Sequence, residues 1–211
     1  MRRICWAAAL AVAGCGGAGS EGGNGSGGNS AAEAPAPEPR KAAPAPAPAP
    51  AAVLTAEGFG PLRIGMSRAE VVKALGEDDD PEAVGGPDPE SCDMFRPERA
   101  PQGMLVMIEA GRLTSIALVD GSKVRTDRGL GLGSSAADVR AAYGEALRAG
   151  PHKYEAAPAE YLTAWAKDGP RGDEYETAPT ARGIRYEVGG QGRVQVIQAG
   201  GPSIQYVEGC A

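Results

Sequence analysis

Leu62-Arg-Ile-Gly-Met-Ser-Arg-Ala-Glu-Val-Val-Lys-Ala-Leu-Gly76 aligns without a gap onto Leu130-Gly-Leu-Gly-Ser-Ser-Ala-Ala-Asp-Val-Arg-Ala-Ala-Tyr-Gly144. Self-similarity of this kind organises a fold ahead of any other signal. In each copy a short apolar stretch leads to a glycine turn, Gly65 or Gly133, and then to a serine, Ser67 or Ser135. An acid stands three residues on, Glu70 or Asp138. A serine at the cap position accepts from the backbone N–H three residues later, and an acid there reaches back to the cap's own N–H. Ser67 with Glu70 is such a capping box, and Ser135 with Asp138 is a weaker version. Met66 is placed to staple onto Val71. Apolar positions follow at Val71, Val72, Ala74 and Leu75, and at Val139, Ala142 and Tyr143, until Gly76 or Gly144 stops the helix as a C′ residue. Helices of about eight or nine residues are too short to hold alone, so each requires a sheet to pack on.

Working outward from the helices, strand signals come next. Met104–Glu109 and Leu113–Val119 flank Ala110-Gly-Arg112, and Ile184–Val188 and Arg193–Gln198 flank Gly189-Gly-Gln-Gly192. Two apolar, β-branched runs around a short glycine turn predict a hairpin in each case. Gly111-Arg112-Leu113 and Gly192-Arg193-Val194 occupy equivalent positions. Ser203-Ile-Gln-Tyr-Val-Glu208 reads as a final strand. An acidic, proline-rich loop, Glu77 to Pro89, and Cys92-Asp-Met-Phe95 separate helix from hairpin in the first copy. In the second copy a longer insert carries Pro151-His-Lys-Tyr154 and Glu160-Tyr-Leu-Thr-Ala-Trp165. The fold class expected is α+β: two similar halves, residues 53–122 and 123–211, each a short helical layer on antiparallel strands.

The chain before residue 53 is of another kind. Residues 1–15 read MRRICWAAALAVAGC: two arginines, then an uncharged run of about ten residues, against about twenty for a membrane span. Residues 1–14 are therefore expected to be an export signal. Val12-Ala13-Gly14-Cys15 resembles a lipobox, in which small residues admit the backbone to the peptidase and Cys15 offers its thiol to a diacylglycerol. The alternative is an ordinary signal with a chance cysteine. Two or more acyl chains of palmitate length anchor firmly where one holds weakly. Residues 15–52 then form a tether. Its first half is Gly/Ser-rich and too polar to bury a core, and its Ala/Pro half favours the extended polyproline II conformation. In two-membrane bacteria the residue after the lipid-bearing cysteine influences sorting. Gly16, rather than an aspartate, points to the outer membrane, facing the periplasm.

Four cysteines sort accordingly: Cys5 leaves with the signal, Cys15 carries lipid, and Cys92 and Cys210 remain as an even pair in an oxidising compartment. A disulfide between them is expected; two buried free thiols are the alternative. From Val53 onward the chain holds 17 Lys/Arg and 24 Asp/Glu, so its acidic balance does not favour nucleic acid. A cofactor-free, metal-free domain is expected. His152 is the single histidine, which excludes a multi-histidine zinc site. Glu77-Asp-Asp-Asp80 lacks EF-hand spacing and reads as a solvated loop. Gly129-Leu-Gly-Leu-Gly133 is not followed by Gly-Lys-Ser/Thr and reads as a turn before a cap.

His152, Lys153 and Tyr154, with Tyr161 and Trp165, are the candidate partner-binding residues, because amphipathic aromatics beside a cation are what protein hot spots use. The alternative is a strand whose tyrosines cover the sheet while His152 makes a structural hydrogen bond.

Ile64-Gly-Met-Ser67, Glu70-Val71 and Leu75-Gly76, repeated in tandem, resemble the superfamily of β-lactamase-inhibitor-protein-like and small outer-membrane lipoprotein A-like (SmpA/OmlA) domains. Pro151–Tyr154 and Tyr206-Val-Glu-Gly-Cys210 resemble segments of proteobacterial lipoproteins. The resemblance covers most of Leu62–Cys210 and implies a helical layer on an antiparallel sheet whose open face binds a protein. Together with the lipobox at Cys15, it makes the expected function that of a membrane-anchored envelope lipoprotein serving as a non-catalytic protein-binding or envelope-assembly module, with an envelope protein as partner. A periplasmic inhibitor of an envelope hydrolase and an enzyme using His152 are the alternatives. The chain departs from the inhibitor protein in having one cysteine per half and few aromatics, 5% overall.

Overall fold

The computed structural model describes residues 52–83, 85–169 and 175–210. The expected signal 1–14, the cysteine expected to carry lipid, Cys15, and all but the last residue of the expected tether 15–52 lie outside them. The described elements are β1 (Leu54–Thr55), β2 (Gly58–Phe59), β3 (Leu62–Arg63), α1 (Arg68–Leu75), β4 (Cys92–Phe95), β5 (Met104–Glu109) and β6 (Arg112–Leu118). They continue with α2 (Ala136–Tyr143), β7 (Leu147–Pro151), β8 (Glu160–Lys167), β9 (Arg182–Val188) and β10 (Val194–Gly200). The class is α+β, dominated by antiparallel sheet, with two helices of eight residues each.

The helices begin where their caps dictate. Ser67 Oγ accepts from Glu70 N while a Glu70 carboxylate oxygen takes the Ser67 N–H at 2.8 Å. Ser135 and Asp138 do the same, with a return bond of 3.0 Å. Those bonds hold both acids below their ordinary range: Glu70 chiefly through the Ser67 backbone N–H, Asp138 chiefly through the Ser135 hydroxyl. Gly76, at φ 93°, ends α1. Gly144 does not simply stop α2: the chain tightens there into a 3-10 turn, Gly144–Ala146.

Each helix start is also tied to a hairpin. Gly65 N–H donates to Leu113 O, Leu113 N–H to Met66 O, and Arg68 N–H to Gly111 O. Gly133 N–H donates to Val194 O, Val194 N–H to Ser134 O, and Ala136 N–H to Gly192 O. Arg112 and Arg193 each donate to the turn glycine's carbonyl, Gly65 or Gly133, at 3.2 Å. The β5–β6 hairpin closes through Ala110 and Gly111, at φ 47° and 72°. Positive φ at both central residues matches the twist of the flanking strands.

Seven strands make one sheet in the order β4-β5-β6-β10-β9-β8-β7, so the sheet runs without a break across residue 122. Register lines assign its faces. Phe95, Val106, Ile116, Ala199, Ile184 and Ala164 follow one another across the strands, and Leu118, Ile197, Tyr186 and Leu162 form a parallel row. These side chains are all buried, and all but Ala164 meet Val71 and Leu75 of α1, Val139 of α2 and Leu54, Phe59 and Leu62 of the small β1–β3 sheet in one apolar core. Met66 packs against the same cluster beside Val71. Fully burying each such side chain contributes about 1.5–3 kcal/mol, which is what holds two helices too short to persist alone. Tyr186 is fully buried in this layer, and its hydroxyl meets that of Tyr143 at 2.9 Å.

The expected final strand at Ser203–Glu208 does not form. Pro202–Gln205 is a 3-10 helix instead. β10 is already paired on both sides, with β6 and β9, so no sheet edge is free where it ends. Pro202 then fixes φ and removes an N–H at the first helical position. The chain leaves the sheet plane there and crosses the face opposite the helices.

Candidate functional site

That second face is defined by the alternate residues. Cys92 and Met94 of β4, Met107 and Glu109 of β5, Ser115 of β6, Arg185 and Glu187 of β9 and Tyr161 of β8 share it by register. Residues 201–210 lie over it as a strap. Gly201 N–H donates to Thr114 O, and Arg185 Nη1 donates to Ile204 O at 3.1 Å. Gln205 exchanges two hydrogen bonds of 2.9 Å with the backbone of Glu176. A Cβ on Gly209 would lie 2.5 Å from Met94 Sδ and 3.7 Å from Met107 Cε, so the strap's backbone sits directly on the two methionines. At its end Cys210 is joined to Cys92, with Cα atoms 5.5 Å apart.

The structure brings together the two segments singled out in the sequence, Pro151–Tyr154 and Tyr206–Cys210. Lys153 Nζ reaches Glu208 Oε1 at 3.1 Å, and the Tyr154 hydroxyl donates to the same carboxylate oxygen. Beneath them lies a stack. The His152 ring lies 4.7 Å from that of Tyr161 at an interplanar angle of 22°, and the Arg185 guanidinium stands 3.7 Å from the same Tyr161 ring. Arg185 is buried, and burial is the main cause that lowers its pKa from the usual arginine value.

His152 has half-exposed backbone, but its imidazole is only 5% exposed. Nδ1 takes the N–H groups of Tyr154 at 3.2 Å and Glu155 at 3.0 Å, and Nε2 faces Glu187 Oε1 at 3.3 Å. Backbone amides only donate, so Nδ1 is the acceptor, and the neutral ring carries its proton on Nε2, directed to Glu187. Both ring nitrogens are thus engaged within the fold.

The remaining sequence candidates divide. Tyr161 is buried, while Lys153 and Tyr154 reach the surface. Trp165 is four residues along β8 from Tyr161, about 13 Å away. It packs over Gly183, its register partner, and lines a separate cavity of about 130 Å³ with Tyr143 and Arg128. Cys92, which as a free thiol would be a nucleophile, is tied to Cys210. Among the described residues no three His, Cys, Asp or Glu side chains converge as metal ligands, and no helix is long and apolar enough to cross a membrane.

Sequence reasoning missed Arg185, Glu187 and Glu208. Two charges alternating with apolar residues on β9 were the available signal: on a strand flanked on both sides, they mark a polar strip on the face away from the core. Of the exposed rings it picked Tyr154 and left Tyr175 and Tyr206 out of the candidate set. Among the described residues the exposed large hydrophobics are Val53, Tyr154 (63%), Tyr175 (59%) and Tyr206 (36%). Tyr206 belongs to the strap, Tyr175 precedes the Glu176 that binds it, and Tyr154 holds Glu208. Burial first, then Glu109, raises the pKa of the Tyr206 phenol, and burial also raises that of Tyr175. Both keep a protonated hydroxyl able to donate.

Against known proteins, the chain matches no family model, no curated protein and no solved structure.

Proposed function

We propose that this chain is a membrane-anchored envelope lipoprotein and a non-catalytic protein-binding or envelope-assembly module, held at the outer membrane by lipid on Cys15. In this reading the domain is a duplicated helix-plus-sheet unit of the kind its resemblance implies, with the hairpin and cap hydrogen bonds repeated at Leu113 and Val194. One observation carries the binding function: Tyr154, Tyr175 and Tyr206 are exposed together around the strap, on the face away from the helices. Tyrosines combine a large apolar ring with a hydroxyl at low entropic cost, and they are enriched where proteins bind. The engagement of both His152 nitrogens supports the non-catalytic reading, because it leaves neither for a substrate.

A photo-cross-linking residue at Tyr175 or Tyr206 of the lipidated protein in its own envelope tests this reading. Capture of one discrete envelope protein from these positions, and not from exposed Ala137 on α2, is the expected result. Equal capture from all three, or from none, would overturn it. Retention of a Cys15→Ser protein in the membrane fraction would overturn the anchoring.

A further inference from the structure

The strap is fastened unevenly. As far as Tyr206 it has backbone hydrogen bonds: Gly201 to Thr114, then the turn bonds of Ile204 and Tyr206. Beyond Tyr206, among the described residues, no backbone hydrogen bond joins residues 207–210 to the sheet. Glu208 is held by two exposed side chains, Lys153 and Tyr154, and Cys210 by the disulfide. Exposed ion pairs contribute little. The covalent bond is therefore what keeps the end of the strap in place.

What lies beneath is apolar. Met94 and Met107 are register partners, Met107 is 2% exposed, and Gly209 rests on both. The core face below is complete without the strap: Ile204, Met94 and Met107 do not belong to the cluster that unites helices and sheet. Cys92 is half-buried at an edge strand while Cys210 is buried, so Cys92 is the sulfur that an incoming thiol reaches.

We propose that residues 206–210 are a redox latch: reduction of Cys92–Cys210 by a dithiol lifts the end of the strap and uncovers the Met94–Met107 strip while the domain stays folded. One thiolate of the dithiol attacks Cys92 Sγ, the S–S bond breaks, and Cys210 leaves as a thiolate that takes up a proton. The second thiol of the reagent then attacks its own sulfur in the mixed disulfide. Cys92 is released as a thiol and the reagent becomes a cyclic disulfide. Two electrons and two protons pass from the dithiol to the protein. The latch does not depend on which protein docks on the tyrosines, so its test uses no partner.

The test is methionine oxidation by hydrogen peroxide, followed residue by residue by mass spectrometry. It compares the oxidised protein, the protein reduced with dithiothreitol, capped at both thiols with iodoacetamide and freed of reagents, and the Cys92→Ser/Cys210→Ser variant. Met104, 1% exposed on the core face, is the internal control. Reduction with capping and the double substitution should each accelerate oxidation of the buried Met107 by about tenfold or more, and that of the partly exposed Met94 by less, with Met104 unchanged. Unchanged rates at Met94 and Met107 would show that the strap stays down without its disulfide. Met104 accelerating together with them, or failure of the double variant to fold, would show that the disulfide holds the whole domain. Any of these outcomes overturns the latch.

Discussion

Replacing His152 by alanine should destabilise the domain, and the hydrogen bonds at its ring set the size of the effect. The substitution leaves the N–H groups of Tyr154 and Glu155 without their acceptor and removes a ring stacked on Tyr161. Each amide bond contributes about 1 kcal/mol net, and because Tyr154 and Glu155 are exposed, water recovers part of that. The stacked ring adds about 0.5–1.5 kcal/mol. The expected loss is thus about 2–3 kcal/mol, or about 5–10 °C in melting temperature for a domain of this size. His152→Asn supplies Oδ1 close to the position of Nδ1 and should recover the amide part but not the stack. Urea unfolding of the three proteins measures both differences. The tautomer can be read directly, because long-range nitrogen–proton spectra should show the neutral ring protonated on Nε2. An alanine variant within about 0.5 kcal/mol of the parent would refute the reasoning, since surface positions behave so. So would an asparagine variant no better than alanine, or a ring protonated on Nδ1.

Further outcomes follow from the caps and the paired hydroxyls of Tyr143 and Tyr186. Ser67→Ala and Ser135→Ala should each cost about 1 kcal/mol by denaturant unfolding. Both acids of the boxes titrate below their ordinary values in the folded chain, 4.5 for Glu70 and 3.8 for Asp138. Their stabilisation is therefore complete above those values and is lost as pH falls through the lower folded ones. Thermal melts from pH 6 to pH 2 should show that decline, and Glu70→Gln, which still caps but does not titrate, should reduce it. Tyr186→Phe should cost about 1–2 kcal/mol, because it leaves the half-buried Tyr143 hydroxyl without its partner. In calorimetry the Tyr143→Phe change should then cost less in the Tyr186→Phe background than alone.

The local signals in this chain are legible because they are short in range. A serine with an acid three residues on, or two strand runs around Ala110-Gly111, specifies its geometry within a few residues, whatever the rest of the chain does. Ser203–Glu208 failed for the opposite reason. Its alternation resembles a strand, but whether a strand can form depends on a free edge, and β6 and β9 had taken both sides of β10. The candidate site divides along the same line. That Pro151–Tyr154 and Tyr206–Cys210 were unusual could be read from residue types. Their meeting at Glu208 could not, because it is set by the path of the strap from the end of β10 to Cys92 on β4. Composition likewise left the role of His152 open between partner binding, a structural hydrogen bond and catalysis, since a histidine that accepts from two amides and one poised for chemistry are the same letter.

The strand order has a consequence for how the molecule comes to exist. β10, the last strand in the chain, is also the middle of the sheet: Ile116 pairs with Ala199, and Ala199 in turn with Ile184. Until residues 194–200 arrive, β4–β6 and β7–β9 have no common partner, and each set presents an open strand edge. Contacts between residues so distant in sequence form late and slowly, because the intervening chain must be ordered first. A chain emerging from its N-terminus therefore stays unfinished, and exposed to proteases and to wrong pairing, until residues 194–200 are available. The closing strand acts as a keystone: a truncation just before Val194 should not trim the protein but leave two half-sheets with nothing between them.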